Sequence, residues 1–353
     1  MASPTCASPL HEDKRRGAHG FQTEVVANTQ NADRNVVALS NGVRRSVSIR
    51  ALVVDPTAPE GLRLTNVAEP AVGPVQALID VHHASLNHGD LNDARSGRVP
   101  AGAVLGSDAA GVVAQAAADG GPAVGTRVVA FASGAFAERV AVPIDTVAGV
   151  PQSIDLAEAA ALPVAGLAAL RALRSAGPVL GKRVLVTGAS GGVGRFAVQL
   201  AALAGAHVIA SVGSTARGEG LTESGADEVV LGLEGLERPV DIVLECVGGP
   251  QMVGAWNLLA PGGSLQSIGW SSGEPAVFPP YSTVGPSKTI SSFLNQGDNG
   301  SDLATLVGFV SDGSVKVEIG WHGSWEQIVD AAEALRGRRV KGKAVLDVTR
   351  VAD

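Results

Sequence analysis

Cysteine, methionine and tyrosine are scarce in this chain. Its 353 residues include two cysteines, two methionines and a single tyrosine, and aromatic residues make up 3%. Cys6 and Cys246 allow neither a disulfide framework nor a C-x-x-C metal knuckle, which fits a reducing cytoplasm. Charge is sparse as well: charged residues are 17%, the net charge is −7, and basic residues cluster only in short pairs. That leaves no electrostatic footprint for nucleic acid. The start of the chain lacks the continuous apolar run of a secretory signal. Residues 196–216 carry no charge and approach bilayer-spanning length, but they contain Gln199, Gly205, His207 and Ser211 and divide into a helix and a strand, so no membrane span is expected. A more local absence matters most. From Arg183 to Gly218 there is no Asp or Glu.

Hydrophobic residues make up 45%, and the length suffices for two domains with a sizeable core. In the middle of the chain, Val184, Leu185 and Val186 form a short apolar run of the kind a strand covered on both faces requires. Gly188, Ala189, Ser190, Gly191, Gly192, Val193 and Gly194 follow, and their glycines let the backbone turn sharply and approach a ligand closely. Val193, Phe196, Leu200 and Leu203 then recur at helical spacing, and a second strand runs from His207 to Val212. A strand, a glycine turn and a helix in this order bind a pyrophosphate through free N–H groups and the positive helix end. The spacing reads both as G-x-x-G-x-x-G and as T-G-x-x-x-G-x-G, the second resembling the short-chain dehydrogenases.

NAD binders place an acid after the second strand to accept from the ribose 2′-OH. Here Ser214, Thr215 and Arg217 stand in that region. Hydroxyl donors and a guanidinium suit a 2′-phosphate, so NADPH is expected as cofactor rather than NADH.

Residues 1–48 carry six basic and four acidic residues, are polar throughout and lack periodicity, and they read as a flexible tail. Deleting 1–46 is expected to spare fold and activity. From Ser48, short strands at 49–54, 77–82, 106–113 and 127–131 suggest a small β-barrel-like domain. Residues 155–175 read as helical, interrupted near Pro163 and Gly166. Five strands are expected near 184–187, 208–212, 241–246, 264–268 and 289–294. Helices at 302–310 and 325–335 and a last strand at 343–348 complete the chain and are expected to rejoin the first domain. Arginine outnumbers lysine 21 to 6, a bias that fits a GC-rich bacterial genome.

This order, with Ala84-Ser85-Leu86-Asn87-His88-Gly89-Asp90, Leu105 to Gly111, Ala159 to Leu167, Val184 to Gly194, Gly225-Ala226-Asp227 and Leu259 to Gly263, resembles the medium-chain dehydrogenase/reductase superfamily. Within it the chain is similar to the zinc-free quinone oxidoreductases, the ζ-crystallin-like group. The resemblance implies an α/β fold, with a GroES-like β-barrel catalytic domain over 49–168 and 298–353 and a Rossmann domain with a parallel sheet over 169–297. The short-chain alternative needs Tyr-x-x-x-Lys, and Gly285 stands four residues after the sole tyrosine, Tyr281. Zinc-dependent relatives use an early Cys and a Gly-His-Glu segment. Asn87 stands near the first, and Ser107-Asp108 replace His-Glu. Zinc needs three or four suitable ligands, and His82, His83 and His88 do not supply them, because adjacent strand residues point to opposite faces. No metal site is expected.

Without a Lewis acid, substrates that accept hydride readily become the expectation: quinones and α,β-unsaturated carbonyls. The resemblance puts Asn87 near the nicotinamide ribose and the substrate carbonyl, where its amide would orient either; alternatively Asn87 only caps a turn. Asp90 is expected to support the loop or cap the following helix. Tyr281 would stack on a quinone or shuttle a proton, or else pack. Val247-Gly248-Gly249 are expected beside the adenosine half, and Ile268-Gly269 and Phe293-Leu294-Asn295 beside the nicotinamide. Relatives also suggest a homodimer through 289–294. Two other functions stay open. One is an enoyl-thioester reductase of fatty-acid or polyketide type, with Arg95 and Arg98 at the mouth of its channel. The other is a non-catalytic NADPH-binding sensor or structural protein.

Overall fold

A computed structural model describes residues 47–348. The expected tail lies outside the described residues except for Val47 and Ser48, and Ser48 already opens a strand. The elements run β1 (Ser48–Val54), β2 (Leu62–Ala68), β3 (Gln76–Leu86), α1 (His88–Ser96), β4 (Asp108–Gln115), β5 (Arg127–Phe131), β6 (Arg139–Pro143) and β7 (Val147–Gly149). Next come α2 (Leu156–Ala160), α3 (Pro163–Ser175), β8 (Arg183–Thr187), α4 (Gly192–Leu203), β9 (His207–Val212), β10 (Glu228–Leu231), β11 (Val240–Glu245), α5 (Gly249–Leu258), β12 (Leu259–Ser267) and β13 (Thr289–Ser292). Last are α6 (Asn299–Ser311), β14 (Ile319–Ser324), α7 (Ile328–Arg336) and β15 (Lys343–Asp347).

Two larger sheets organise these elements. The first is antiparallel apart from one pair, in the order β14-β15-β3-β4-β5-β7, with β6 also on β3 and the β1–β2 hairpin beside it. It is the GroES-like unit, and the end of the chain does return to it: β15 pairs with β3, Ala344 opposite Leu86. The second sheet is wholly parallel, in the order β10-β9-β8-β11-β12-β13. That is the Rossmann order, whose direction reverses between β8 and β11. Helices cover both of its faces. Val184, Val186, Ile242 and Leu244 pack in the core that holds α3 and α4 residues, while Leu185, Val243, Met252 and Trp256 pack on the other side with α5. Neighbouring residues of one strand therefore enter opposite cores, which is why the strand sequences are apolar without alternation.

Two differences from the sequence reading have local causes. The parallel sheet has six strands, because Glu228–Leu231 pairs with β9 at the edge; its apolar run Val229-Val230-Leu231 is only three residues long and every second residue is exposed. The expected interruption near Pro163 is present: α2 ends at Ala160, and Pro163 opens α3, where the missing N–H costs nothing. Gly166 does not interrupt that helix; it lets α6 approach, since a Cβ there would lie 2.9 Å from Leu306 Cδ1. The expected domain boundary at 168/169 accordingly falls inside an unbroken helix.

Candidate active site

The glycine turn follows β8, at the point where strand order reverses. Gly188 has φ +62°, and its carbonyl accepts from Gly191 N–H at 2.9 Å. A Cβ on Gly194 would lie 2.4 Å from the Gly188 carbonyl oxygen and 2.6 Å from Ala189 Cα, so helix and turn touch backbone to backbone. Gly191 caps α4 without any side-chain bond, so the positive end of this helix is left to an outside anion. Ala189 and Ser190 are buried beneath the turn. Such a cradle, closed to any side chain larger than hydrogen, fits the pyrophosphate of a dinucleotide.

Ser214 is exposed just beyond β9, and Arg217 lies half-buried in the short 3-10 turn after it. Arg217 Nε donates to Ser190 Oγ at 2.8 Å, and its other nitrogens donate to the carbonyls of Arg338 and Val340. Burial, then the charges of Arg338 and Arg195, hold its pKa below the usual guanidinium value. Arg195 is answered by Glu318. Among the described residues no carboxylate pairs with Arg217 or Arg338, so this corner carries uncompensated positive charge.

Glu245, at the end of β11, is a buried carboxylate beside the glycine turn that the sequence reading did not single out. It is fully buried and accepts from Thr187 Oγ1 at 2.9 Å, Val247 N–H at 3.0 Å and Gly248 N–H at 2.9 Å. Burial raises its pKa against these bonds. The carboxylate thereby ties the ends of β8 and β11 together and occupies the start of α5. Val247 is brought to the glycine turn, its Cγ2 3.2 Å from where a Gly188 Cβ would stand, but its N–H and that of Gly248 are committed inward. Burial, then Glu245, push the Cys246 thiol up, which makes it inert. Ile268 and Gly269 N–H both donate to the Glu245 carbonyl, at 2.8 and 3.2 Å, so they too line the β11 turn. Phe293 packs on the core beneath α3 and α4. Asn295 is turned away from a ligand role: its amide accepts from Arg171 at 3.0 Å and donates to the Val164 carbonyl at 3.2 Å.

Asn87 follows β3 and caps α1. Its backbone N–H donates to Asp90 Oδ2 at 2.8 Å, so Asp90 serves as the helix-capping partner. The Asn87 side chain does something else. Its Nδ2 donates to Asp108 Oδ2 at 3.0 Å, and its Oδ1 accepts from Lys343 Nζ at 2.5 Å. Lys343 also pairs with Asp108 at 3.1 Å, and the two side chains are 3% and 0% exposed. Asp108 Oδ1 is filled by the Val164 N–H at 2.8 Å. Asp90 is buried nearby, and burial followed by the Asp108 charge pushes its carboxyl up to about 7. His88 is exposed to solvent at one side, and the protein packed around it, then Lys343, Arg336 and Arg338, hold its pKa below the usual value.

Lys343 joins this cluster to the glycine turn. A Cβ on Gly192 would come 2.9 Å from Lys343 Cδ, and Gly342 N–H donates to the Ser190 carbonyl at 2.9 Å. The lysine was legible only as a charge opening an apolar strand, Lys343-Ala-Val-Leu. Tyr281 is not part of this assembly. Its residue is 83% exposed, and the adjoining Ser282 carbonyl accepts from Trp256 Nε1 at 2.9 Å. Trp256 stands eight residues beyond Gly248, roughly 12 Å along α5. The three histidines weighed as zinc ligands do not gather either; His83 instead meets His322 and Asp347.

Comparison with known proteins agrees with this architecture. The sequence family described as "Zinc-binding dehydrogenase" matches residues 192–312, and that described as "Alcohol dehydrogenase GroES-like domain" matches 73–152. The chain is 33% identical over 312 residues to a 2-methylene-furan-3-one reductase of Solanum lycopersicum, covering 80% of this chain and 74% of that protein. It also matches polyketide synthases, of whose length it spans 6% to 16%. Among solved structures, the quinone oxidoreductase from Coxiella burnetii superposes with a TM-score of 0.77 at 28% identity, over 86% of this chain and 100% of that one. Mycobacterial Rv1454c complexed with NADPH superposes with a TM-score of 0.78 at 26% identity, over 85% of this chain and 100% of that one. The chain belongs to the medium-chain dehydrogenase/reductase superfamily and is quinone-oxidoreductase-like within it.

Proposed function

We propose that the protein is an NADPH-dependent reductase of quinones or α,β-unsaturated carbonyls that works without catalytic zinc. The observation that carries this reading is the buried Lys343 ammonium bonded to both Asn87 and Asp108, against the helix that opens on the glycine turn. In zinc-dependent relatives the early Cys stands near the place of Asn87 and a His-Glu pair stands where this chain has Ser107-Asp108, and a fixed positive charge here repels a divalent cation. NADPH, when bound, supplies a hydride. The residues from Gly188 to Gly194 hold its pyrophosphate, with Val247, Gly248, Ile268 and Gly269 lining the crevice. Ser214 and Arg217 hold the 2′-phosphate, with Arg338 beside them, because a dianion answers the charge that no carboxylate answers. Asn87 Nδ2 spends its two hydrogens on Asp108 and the Ser85 carbonyl, and Oδ1 accepts from Lys343, so the free lone pair of Oδ1 is what Asn87 offers, to a ribose hydroxyl. Phe293 closes the crevice from below, while Asn295 acts through its bonds to Arg171 and Val164 rather than on the ligand. The test is NADPH oxidation by the purified protein with 1,2-naphthoquinone, run in parallel with NADH. Rapid, NADPH-selective oxidation is expected; binding of NADPH with no acceptor reduced would favour the non-catalytic reading instead. Arg217→Glu is expected to raise KM for NADPH at least tenfold and to leave NADH use little changed.

The enoyl-thioester alternative draws on the similarity to polyketide synthases. At the proposed channel mouth Arg95 pairs with Glu60 at 2.9 Å and Arg98 with Asp93 at 3.7 Å, but the arginine side chains are 51% and 78% exposed and keep donors for a phosphopantetheine arm, so the preference for quinones and enones rests on the Lys343 site and not on these residues. Saturable reduction of a crotonyl thioester with poor quinone activity would reverse that preference.

A further inference from the structure

On the GroES-like unit, away from the glycine turn, two imidazoles and a carboxylate converge. The register of three strands puts them there. Asp347 on β15 stands directly opposite His83 on β3. On the other side of β15, His322 on β14 stands opposite Val345, two residues from Asp347 and therefore on the same face. His83 Nδ1 lies 3.0 Å and His322 Nε2 2.6 Å from the same oxygen, Asp347 Oδ1. The three ligand atoms all lie within 4.8 Å of one another, and the two rings meet edge to face at 5.9 Å. The side chains are 22% to 45% exposed, so solvent reaches the cluster.

We propose that His83, His322 and Asp347 bind one borderline divalent metal ion of the zinc class, at a site separate from the site of reduction. Two nitrogen donors and one carboxylate oxygen suit Zn²⁺, Co²⁺ or Ni²⁺ and are poor for Mg²⁺ or Ca²⁺, which take oxygen. Metal–ligand bonds of about 2.0–2.1 Å give tetrahedral edges of about 3.3 Å; the two separations from Asp347 Oδ1, 3.0 and 2.6 Å, are slightly shorter, and all three atoms lie within 4.8 Å, so small side-chain rotations open the triangle to fit. Three protein ligands leave a position for water. His83 is four residues from Asn87 along β3, about 13 Å at strand rise, so an ion here does not reach the proposed site of reduction. It clamps β14, the edge of its sheet, to β3 across β15. The sequence reading missed the site because two of its three ligands lie more than 230 positions from His83.

The experiment uses the full-length, tag-free protein stripped by chelator, titrated with ZnCl₂ by calorimetry, with Tm followed in parallel. One equivalent is expected to bind, with a Tm that climbs as zinc is added. His322→Ala and the near-isosteric Asp347→Asn should each weaken that equivalent at least a hundredfold, while His88→Ala keeps it. The wild-type zinc site should survive in Arg217→Glu, which separates this site from the cofactor reading. Absence of stoichiometric uptake, or uptake equal in wild type, His322→Ala and Asp347→Asn, would overturn the proposal.

Discussion

Asp90 and Asn87 sit three residues apart and respond differently to substitution. Asp90 titrates near 3.8 in an unfolded chain and near 7 in the fold, because burial and the Asp108 charge outweigh the bond from Asn87 N–H. Between those values the native state holds the extra proton. Stability from this group is therefore full below about pH 4 and is lost as pH rises through 7. Chemical denaturation from pH 4 to 8 should show this decline in the wild type and a flatter profile in Asp90→Asn. Asn87 bears on turnover. Its side-chain amide is held at both ends, by Lys343 on Oδ1 and by Asp108 and the Ser85 carbonyl on Nδ2, which fixes the group beside the crevice and leaves one Oδ1 lone pair free. Asn87→Ala is expected to lower kcat/KM for the quinone more than tenfold with NADPH affinity little changed; an unchanged kcat/KM would remove Asn87 from the mechanism.

At the scale of elements, the junction of β8 and α4 tolerates nothing added. In Gly194→Ala the new methyl would meet backbone atoms of Gly188 and Ala189, which cannot swing aside. Loss of NADPH binding by fluorescence and destabilisation by roughly 1–3 kcal/mol are expected, as for overpacking elsewhere. Gly89, in the first turn of α1, is the control: a Cβ there meets nothing within 4 Å, so Gly89→Ala should behave as wild type. This junction was fully legible in the sequence, because turn, strand and helix are contiguous and each leaves its own local pattern. The Asn87 cluster was legible only in half. Asn87 and Asp108 could be placed by resemblance, but Lys343 meets them across 256 and 235 positions, and no local pattern records such a partner. Glu245 was hidden for a related reason. A carboxylate after an apolar strand looks like a strand end facing water, and only the fold shows it buried on two backbone amides and a threonine.

For the whole molecule, several exposed apolar residues fall in one stretch of chain, the segment 277–294 that contains β13, while others such as Leu180 and Val124 lie elsewhere. Val277, Val284 and Leu294 are 72%, 73% and 69% exposed, with Ile290 and Tyr281 in the same segment. β13 ends the parallel sheet and offers an unpaired edge. A second copy pairing along this edge would cover them, and the exposed Tyr281 then belongs to assembly rather than to catalysis. Ile290→Lys combined with Leu294→Asp should convert a dimer to a monomer by light scattering. A wild-type monomer in the same measurement would dismiss the edge as an interface.

The pairing of β15 with β3 also sets an order of events during synthesis. A chain leaving the ribosome at about 5–20 residues per second completes the parallel sheet before its last strand exists. Until then β3 lacks one neighbour, and the buried Asp108 lacks its cation. The nascent GroES-like unit therefore waits some tens of seconds, with an open sheet edge and an unanswered charge, for residue 343 to arrive. Throughout that interval the β3 edge is open to pairing with another chain.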